Sequence, residues 1–306
     1  MTLEVVAYTP AGAEEWDAFC RKSVNGTFLH SRLFLGYHGD RFHDLSVSVR
    51  DGARLIALLP AARDPNDEKL VVSHPGTTYG GFVHDGYLTG ERMLEAFEAV
   101  GAFMAQSGSR RLLYKAIPHS YARVPAGDDL YALFRLGARR VRCDLSSAVD
   151  LAHRLPVSER RRRALRKSQR YVEISSDLTH IDGLWEVLSE NLSRKHNAQP
   201  VHSRAEIGDL LGRFPDEIAV RVALVDNEVV AGVVLFLTSR VWHAQYIASS
   251  EVGYSTCALD TVFETIIAEA TVAGCRYFDF GTSNENAGTV LNTGLYRFKS
   301  EFGGGE

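Results

Sequence analysis

The chain has 306 residues, 45% hydrophobic and 24% charged, the profile of a globular protein long enough for two cores of about 150 residues each. Its formal net charge of −4 gives no global attraction to nucleic acid or membrane, so any polyanionic partner has to be met by a local patch. No apolar run approaches the roughly 18 residues that span a bilayer, and the opening MTLEVVAYTPAGAEEWDAF lacks a basic segment followed by an apolar one, so a cytoplasmic protein with no membrane partner is expected.

In chain order, the first 43 residues predict a helix over Ala13 to Lys22 and another over Ser31 to His38, separated at Asn25-Gly26. LSVSVR, Asp51-Gly52 and RLIALLPAA then predict a β-hairpin. VVSHPGTTYGGFV reads as a strand broken by glycines, where backbone can approach a ligand. Met93, Phe97, Val100 and Met104 recur at helical spacing over Arg92 to Gln106, and RRLLYKAIP reads as a further buried strand. The same order returns later: IAVRVALV, the turn Asp226-Asn227 and VVAGVVLFL as a hairpin, WHAQYIAS as a strand, Ala258 to Ala273 as a helix, CRYFDFG as a closing strand. The offset of roughly 160 to 175 residues exceeds solenoid repeat periods and points to a duplicated domain. Each half predicts a mixed sheet flanked by helices, an α/β (α+β) fold. The expected divisions are 1 to 150, a basic helical connector over 151 to 174, and 175 to 306.

The closing stretch carries the first site candidate. Asp279 stands in the apolar run ending at Phe280, just before Gly281 and the polar Thr282, Ser283 and Asn284. In α/β sheets chemistry collects where strands end, so Asp279 is expected to orient an amine or act as a base, with Thr282 beside it.

The hairpin, strand, helix, strand order is similar to the GNAT acyltransferase core. YFDFG with GLYRFKSEFGG resembles the closing motif of the Fem family, built from two such cores in tandem, and SHPGTTYGG, YKAIP and PVHS resemble FemAB-like proteins of that group. The resemblance implies acyl transfer to an amine, from aminoacyl-tRNA in Fem proteins or from acyl-coenzyme A in typical GNATs. It also implies that Phe298-Lys299 is the aromatic-lysine pair at the acyl-donor end. A lysine there offsets charge on a carbonyl or leaving oxygen.

A GNAT holds the coenzyme A pyrophosphate on an R/Q-x-x-G-x-G/A turn. EVGYSTCALD, at the equivalent place, keeps only Gly253 and adds Glu251, which weakens the coenzyme A reading. The opposite signal is SERRRRALRKSQRYV, where Arg160, Arg161, Arg162, Arg163, Arg166, Lys167 and Arg170 face one acid, Glu159, with Ser158 as N-cap. So much local charge predicts a phosphate partner, tRNA or coenzyme A, although such a run is also what a solvated helix face looks like.

Acceptor-site candidates are His74, Tyr79, Lys115, Tyr121, Asp129 and Arg135 in the first half, and His196, His202, Ser203 and Tyr246 in the second. Lys115, in an apolar strand, must be paired or line a cavity, and a loop histidine at 196 or 202 has the pKa range to deprotonate an ammonium. The cysteines, Cys20, Cys143, Cys257 and Cys275, form no CxxC pair and are expected to be reduced; with no H-E-x-x-H cluster, no metal and no tightly bound cofactor are expected. Two other readings stand beside the tRNA-dependent one: an acetyl-coenzyme A-dependent N-acetyltransferase, and a non-catalytic tRNA- or polyanion-binding module.

Overall fold

The computed structural model describes residues 3–196 and 199–305, excepting the side chains of residues 195 and 196. The chain forms two compact units, Met1–Arg139 and Arg140–Glu306.

In the first unit, β1 (Glu4–Ala7), β2 (Val47–Asp51), β3 (Arg54–Leu59) and β6 (Val83–His84) make one antiparallel sheet, while β4 (Ala62–Asp64), β5 (Asp67–Val72) and β7 (Arg111–Leu113) make a second. The expected hairpin forms between β2 and β3, with Asp51 opposite Arg54 and Gly52 at φ 58°, in the region that favours glycine. Helices α1 (Ala13–Lys22) and α2 (Arg32–Gly36) precede it, the latter capped by Ser31, whose Oγ accepts from the Phe34 N–H at 3.2 Å. Helix α3 (Glu91–Gln106) buries Met93, Phe97, Val100 and Met104, as their spacing predicts, and packs them on Val47, Val49 and Ile56. Helix α4 (Asp128–Arg135) closes the unit through Ala132. VVSHPGTTYGGFV is not one strand: β5 ends at Val72, and residues 73–82 leave the sheet as a loop.

The second unit is one six-stranded sheet in the order β8 (Ser146–Asp150), β13 (Tyr277–Thr282), β12 (Val241–Ser249), β11 (Glu228–Leu237), β10 (Ile218–Val225), β9 (Glu173–Ser175). Asp226 and Asn227, at φ 52° and 65°, make the two-residue turn between β10 and β11. Between the strands come α5 (Glu159–Ser168), α6 (Ile181–His196), α7 (Arg204–Arg213), α8 (Glu251–Thr256) and α9 (Ala258–Val272); the chain closes with the hairpin β14 (Asn284–Glu285) and β15 (Val290–Leu291) and helix α10 (Thr293–Ser300). Val262, Phe263, Ile266 and Ile267 of α9 pack on Val233, Leu235, Phe278 and Phe280, and Phe302 completes the cluster. Burying each such aromatic stabilises the unit by roughly 1.5–3 kcal/mol.

A boundary at residue 150 would cut the second sheet, because β8 pairs antiparallel with β13, Asp150 opposite Tyr277 and Val149 opposite Phe278. Nor is the basic helix a free connector: α5 packs on α9, with Thr261 Oγ1 donating to Ser168 Oγ at 2.8 Å. Among the described residues, each unit has one parallel strand pair, β5 joined to β7 through β6 and α3, and β12 joined to β13 through α8 and α9.

Candidate active site

Strands β12 and β13 run together only over Val241↔Tyr277, Trp242↔Phe278 and His243↔Asp279. Beyond that pair β12 continues to Ser249 along β11, with an extra residue between Ala244 and Tyr246, while β13 continues to Thr282 along β8. The sheet therefore opens into a fork whose base is His243 beside Asp279. Ala244, Phe278 and Phe280 belong to the core under α9, so strand alternation puts His243 and Asp279 on the opposite face.

Asp279 is held at both oxygens. Ser146 Oγ donates to Oδ1 at 2.5 Å and the Gly281 N–H donates to the same oxygen at 2.8 Å, while His243 Nδ1 lies 2.9 Å from Oδ2. Burial alone would raise the pKa of this carboxyl; the neighbouring His243, with Ser146 and the Gly281 N–H, outweighs it and holds the group down at about 2. A carboxylate only accepts, so His243 presents Nδ1–H to it and keeps Nε2 for whatever occupies the fork. Gly281, at φ 75°, lets the chain pass close to the ring: a Cβ there would lie 3.3 Å from His243 Cε1.

The sequence reading names Asp279 but misses His243, whose signal is only its place two residues into WHAQYIAS. What makes it a candidate is the register that sets it opposite Asp279.

Lys299, on α10, is 3% exposed, and its Nζ donates to the carbonyls of Gly281 at 3.0 Å and Thr282 at 2.6 Å. Burial lowers its pKa to about 8, against the upward pull of Asp279. The lysine thus sits at the end of β13, where the resemblance implies the donor carbonyl. Thr282 is exposed there and contributes that backbone carbonyl. Phe298 faces the interior instead: its ring is 5.4 Å from Phe302, and the Arg161 guanidinium lies 4.2 Å from its centroid.

Along β12 on the same face, Tyr246 meets His202, whose Nδ1 contacts the phenol oxygen; Trp185 packs edge-on at 5.2 Å. Burial pushes the Tyr246 hydroxyl up to about 12. Ser203 is the N-cap of α7, exchanging hydrogen bonds with Glu206. His196 ends α6, and its side chain lies outside the described residues.

The first unit's parallel pair makes no open fork. Ser73 N–H donates to Leu113 O at 3.0 Å, Lys115 N–H to Ser73 Oγ at 2.7 Å, and Gly80 N–H to Lys115 O at 2.9 Å, so the loop after β5 fills the gap. Only glycine fits at 80, where a Cβ would lie 1.7 Å from Ser73 O. Lys115 Nζ donates to the His74 carbonyl at 3.3 Å and to that of Thr77. His74, at φ 63°, stacks on His38 at 5.2 Å, and burial lowers its pKa to about 3. Tyr79 donates to Thr27 Oγ1 at 3.2 Å and its ring packs 4.7 Å from Tyr121. Asp129 instead accepts from Tyr114 Oη at 2.9 Å, and Arg135 is exposed, donating to Tyr131 Oη at 2.8 Å.

The seven cations of the basic segment are not equivalent. Arg161 is 7% exposed, 2.9 Å from Asp260 and 3.3 Å from Glu301, beneath Phe298 and Phe302; its charge is spent inside the unit. Arg160 pairs with Glu301 at 2.9 Å. Arg162, Arg163 and Arg166 share Glu159, and Arg162 and Arg166 line an open depression with Leu165. Lys167 and Arg170 are exposed.

At the turn after β12, Gly253 is required by packing, since a Cβ there would lie 2.4 Å from Val230 O. Glu251 pairs with Arg194 at 2.6 Å, so a cation does stand at this turn. Among the described residues, no group of His, Cys, Asp and Glu side chains is arranged to hold a metal ion.

Residues 154–300 match the family described as acetyltransferase (GNAT) domain. The whole chain is similar in structure to FemX, at 13% identity over 99% of this chain and 94% of that one, with a TM-score of 0.66. It is similar to L-PGS from Bacillus licheniformis at 15% identity, 94% and 87% coverage and a TM-score of 0.59. It is also similar to a tandem GNAT protein from the clavulanic acid biosynthesis pathway, at 10% identity, 99% and 94% coverage and a TM-score of 0.51. No curated relative matches the sequence. The family match makes residues 154–300 a domain of the GNAT acyltransferase kind. The chain as a whole has the tandem, Fem-like form of that fold.

Proposed function

We propose that this protein transfers an aminoacyl or acyl group from an aminoacyl- or acyl-tRNA to the amine of a small-molecule or peptide acceptor, in the open fork of the second unit. The observation that carries the reading is the His243–Asp279 pair at the base of that fork, with Nε2 left to take a proton. Acyl transfer starts from the neutral amine: its nitrogen attacks the donor carbonyl while Nε2 accepts the N–H proton that the amide nitrogen must lose, the C–N bond forms and the C–O bond to the ribose breaks. The imidazolium then returns the proton to the leaving oxygen. Asp279 holds the ring and stabilises its charged form, and Lys299 supplies positive charge near the developing oxyanion.

The tRNA side is supported by the exposed part of α5, with Arg162, Arg163, Arg166, Lys167 and Arg170 available to phosphates. The coenzyme A reading keeps one specific support, Arg194 beside the turn after β12. Purified protein assayed with each donor separates them. On the tRNA reading, donor affinity falls with salt at a slope of about −0.7 to −0.9 in log K per log salt per contact. Replacing Arg162, Arg163 and Arg166 together with Gln flattens that slope. Full turnover with an acyl-coenzyme A and no RNA would overturn it.

A further inference from the structure

Helix α4 presents an apolar face that the fold does not cover. Phe134 is 78% exposed, Leu130 57%, Tyr131 50%, and Leu136 just beyond the helix 43%. Positions 130, 131 and 134 share one side of a helix. The other side fixes it firmly: Ala132 is fully buried, Asp128 accepts the Gly90 N–H at 2.8 Å, and Asp129 accepts from Tyr114 Oη at 2.9 Å. Both acids of the helix therefore have inward partners, whereas its one basic residue, Arg135, is exposed. Arg135 lies along Tyr131, Arg139 follows, and Arg140 comes next in the chain; neither Arg139 nor Arg140 has an ion pair among the described residues.

We propose that this face docks the protein on an anionic phospholipid surface, Phe134, Leu130 and Tyr131 entering the boundary between headgroups and acyl chains while Arg135 and Arg139 meet the lipid phosphates. Exposed apolar side chains beside uncompensated arginines on a rigid short helix fit that surface in both respects. RNA fits less well, since Leu130, beside Phe134, has no ring on which a base could stack. The net charge of −4 argues against general attraction to such a membrane, so the contact has to be local. This departs from the sequence expectation of no membrane partner, which rests on spanning segments and overall charge. Neither measure registers a peripheral patch.

The test is flotation of the full chain with vesicles of phosphatidylcholine alone and of phosphatidylcholine and phosphatidylglycerol in equal parts. The protein is expected to partition onto the anionic vesicles roughly tenfold or more better than onto neutral ones, with the preference lost at high salt. Leu130→Ser with Phe134→Ser, and separately Arg135→Gln with Arg139→Gln, should each reduce that partition about tenfold without moving the thermal midpoint, since all four side chains are exposed. Absence of binding, equal binding to both vesicles, or variants that float like the parent would overturn the proposal. So would a dimer in solution that Leu130→Ser with Phe134→Ser dissociates, which would give the face to a second copy. RNA binding lost in the Phe134 variant, with no vesicle binding by the parent, would assign it to nucleic acid instead.

Discussion

At the scale of single residues, the site rests on a histidine whose orientation is set by a carboxylate. His243→Gln should lower kcat by about 100- to 10,000-fold with little change in donor affinity, because the group acts on a proton and not on binding. Steady-state kinetics beside a direct binding assay checks this. A loss confined to KM would make His243 a binding residue. Lys299 gives a second measurable sign. Its pKa of about 8 in the folded chain lies below the usual 10.5, so the unfolded chain binds more protons between those values. Stability should therefore rise with pH from 8 to 10.5 by an increment that Lys299→Met lacks. Turnover should move the other way, falling above pH 8 as the charge that supports the oxyanion is lost. Thermal midpoints and pH–rate profiles of parent and variant test both. For Asp279 the folded pKa of about 2 lies below the usual 3.8. Its contribution to stability is thus complete above about pH 4 and is lost as the pH falls through 2.

Among the elements, α5 shows one basic run doing two jobs. Arg161→Gln would leave Asp260 buried without its partner and should cost about 3 kcal/mol or more of unfolding free energy. Arg162→Gln or Arg166→Gln, on the exposed face, should change stability by no more than about 0.5 kcal/mol. Denaturant titration separates them, and equal effects would contradict the packing of α5 on α9. In the hairpin before α10, Asn286, Ala287 and Gly288 follow one another at φ 49°, 54° and 92°. Ala287 is exposed. Ala287→Gly should therefore stabilise the protein, by about 1 kcal/mol, since an L side chain in the left-handed region is strained.

For the whole molecule, the division at Arg139 and Arg140 makes a prediction about proteolysis. Residues 136–144 are all exposed and carry no helix or strand, and they hold Arg139, Arg140 and Arg142. Brief trypsin treatment should cut here first and give two fragments, one of about 15 kDa and one slightly larger, because cleavage favours exposed backbone outside regular structure. Mass spectrometry of the fragments reads the site. First cuts within α5, which is richer in arginine, would contradict its firm packing on α9.

Much of this was legible in the residues themselves. Both hairpins followed from Asp51-Gly52 and Asp226-Asn227, because two-residue turns demand those backbone angles whatever surrounds them. Helix α3 followed from Met93, Phe97, Val100 and Met104, because period and burial are the same fact on a helix. Asp279 stood out as an acid at the end of an apolar strand. What only the tertiary structure decided depends on contacts between residues far apart in the chain. His243 acquires its meaning from a strand register 36 residues away, and Arg161 leaves the set of free cations because Asp260, 99 residues on, takes its charge. The loop after β5 looked like a ligand cradle for its glycines, yet Gly80 serves to press that loop against Ser73 and close the first fork. Local patterning determines which segments become strands and helices; which side chains meet, and so which charges remain free to do chemistry, is set only when the sheets assemble.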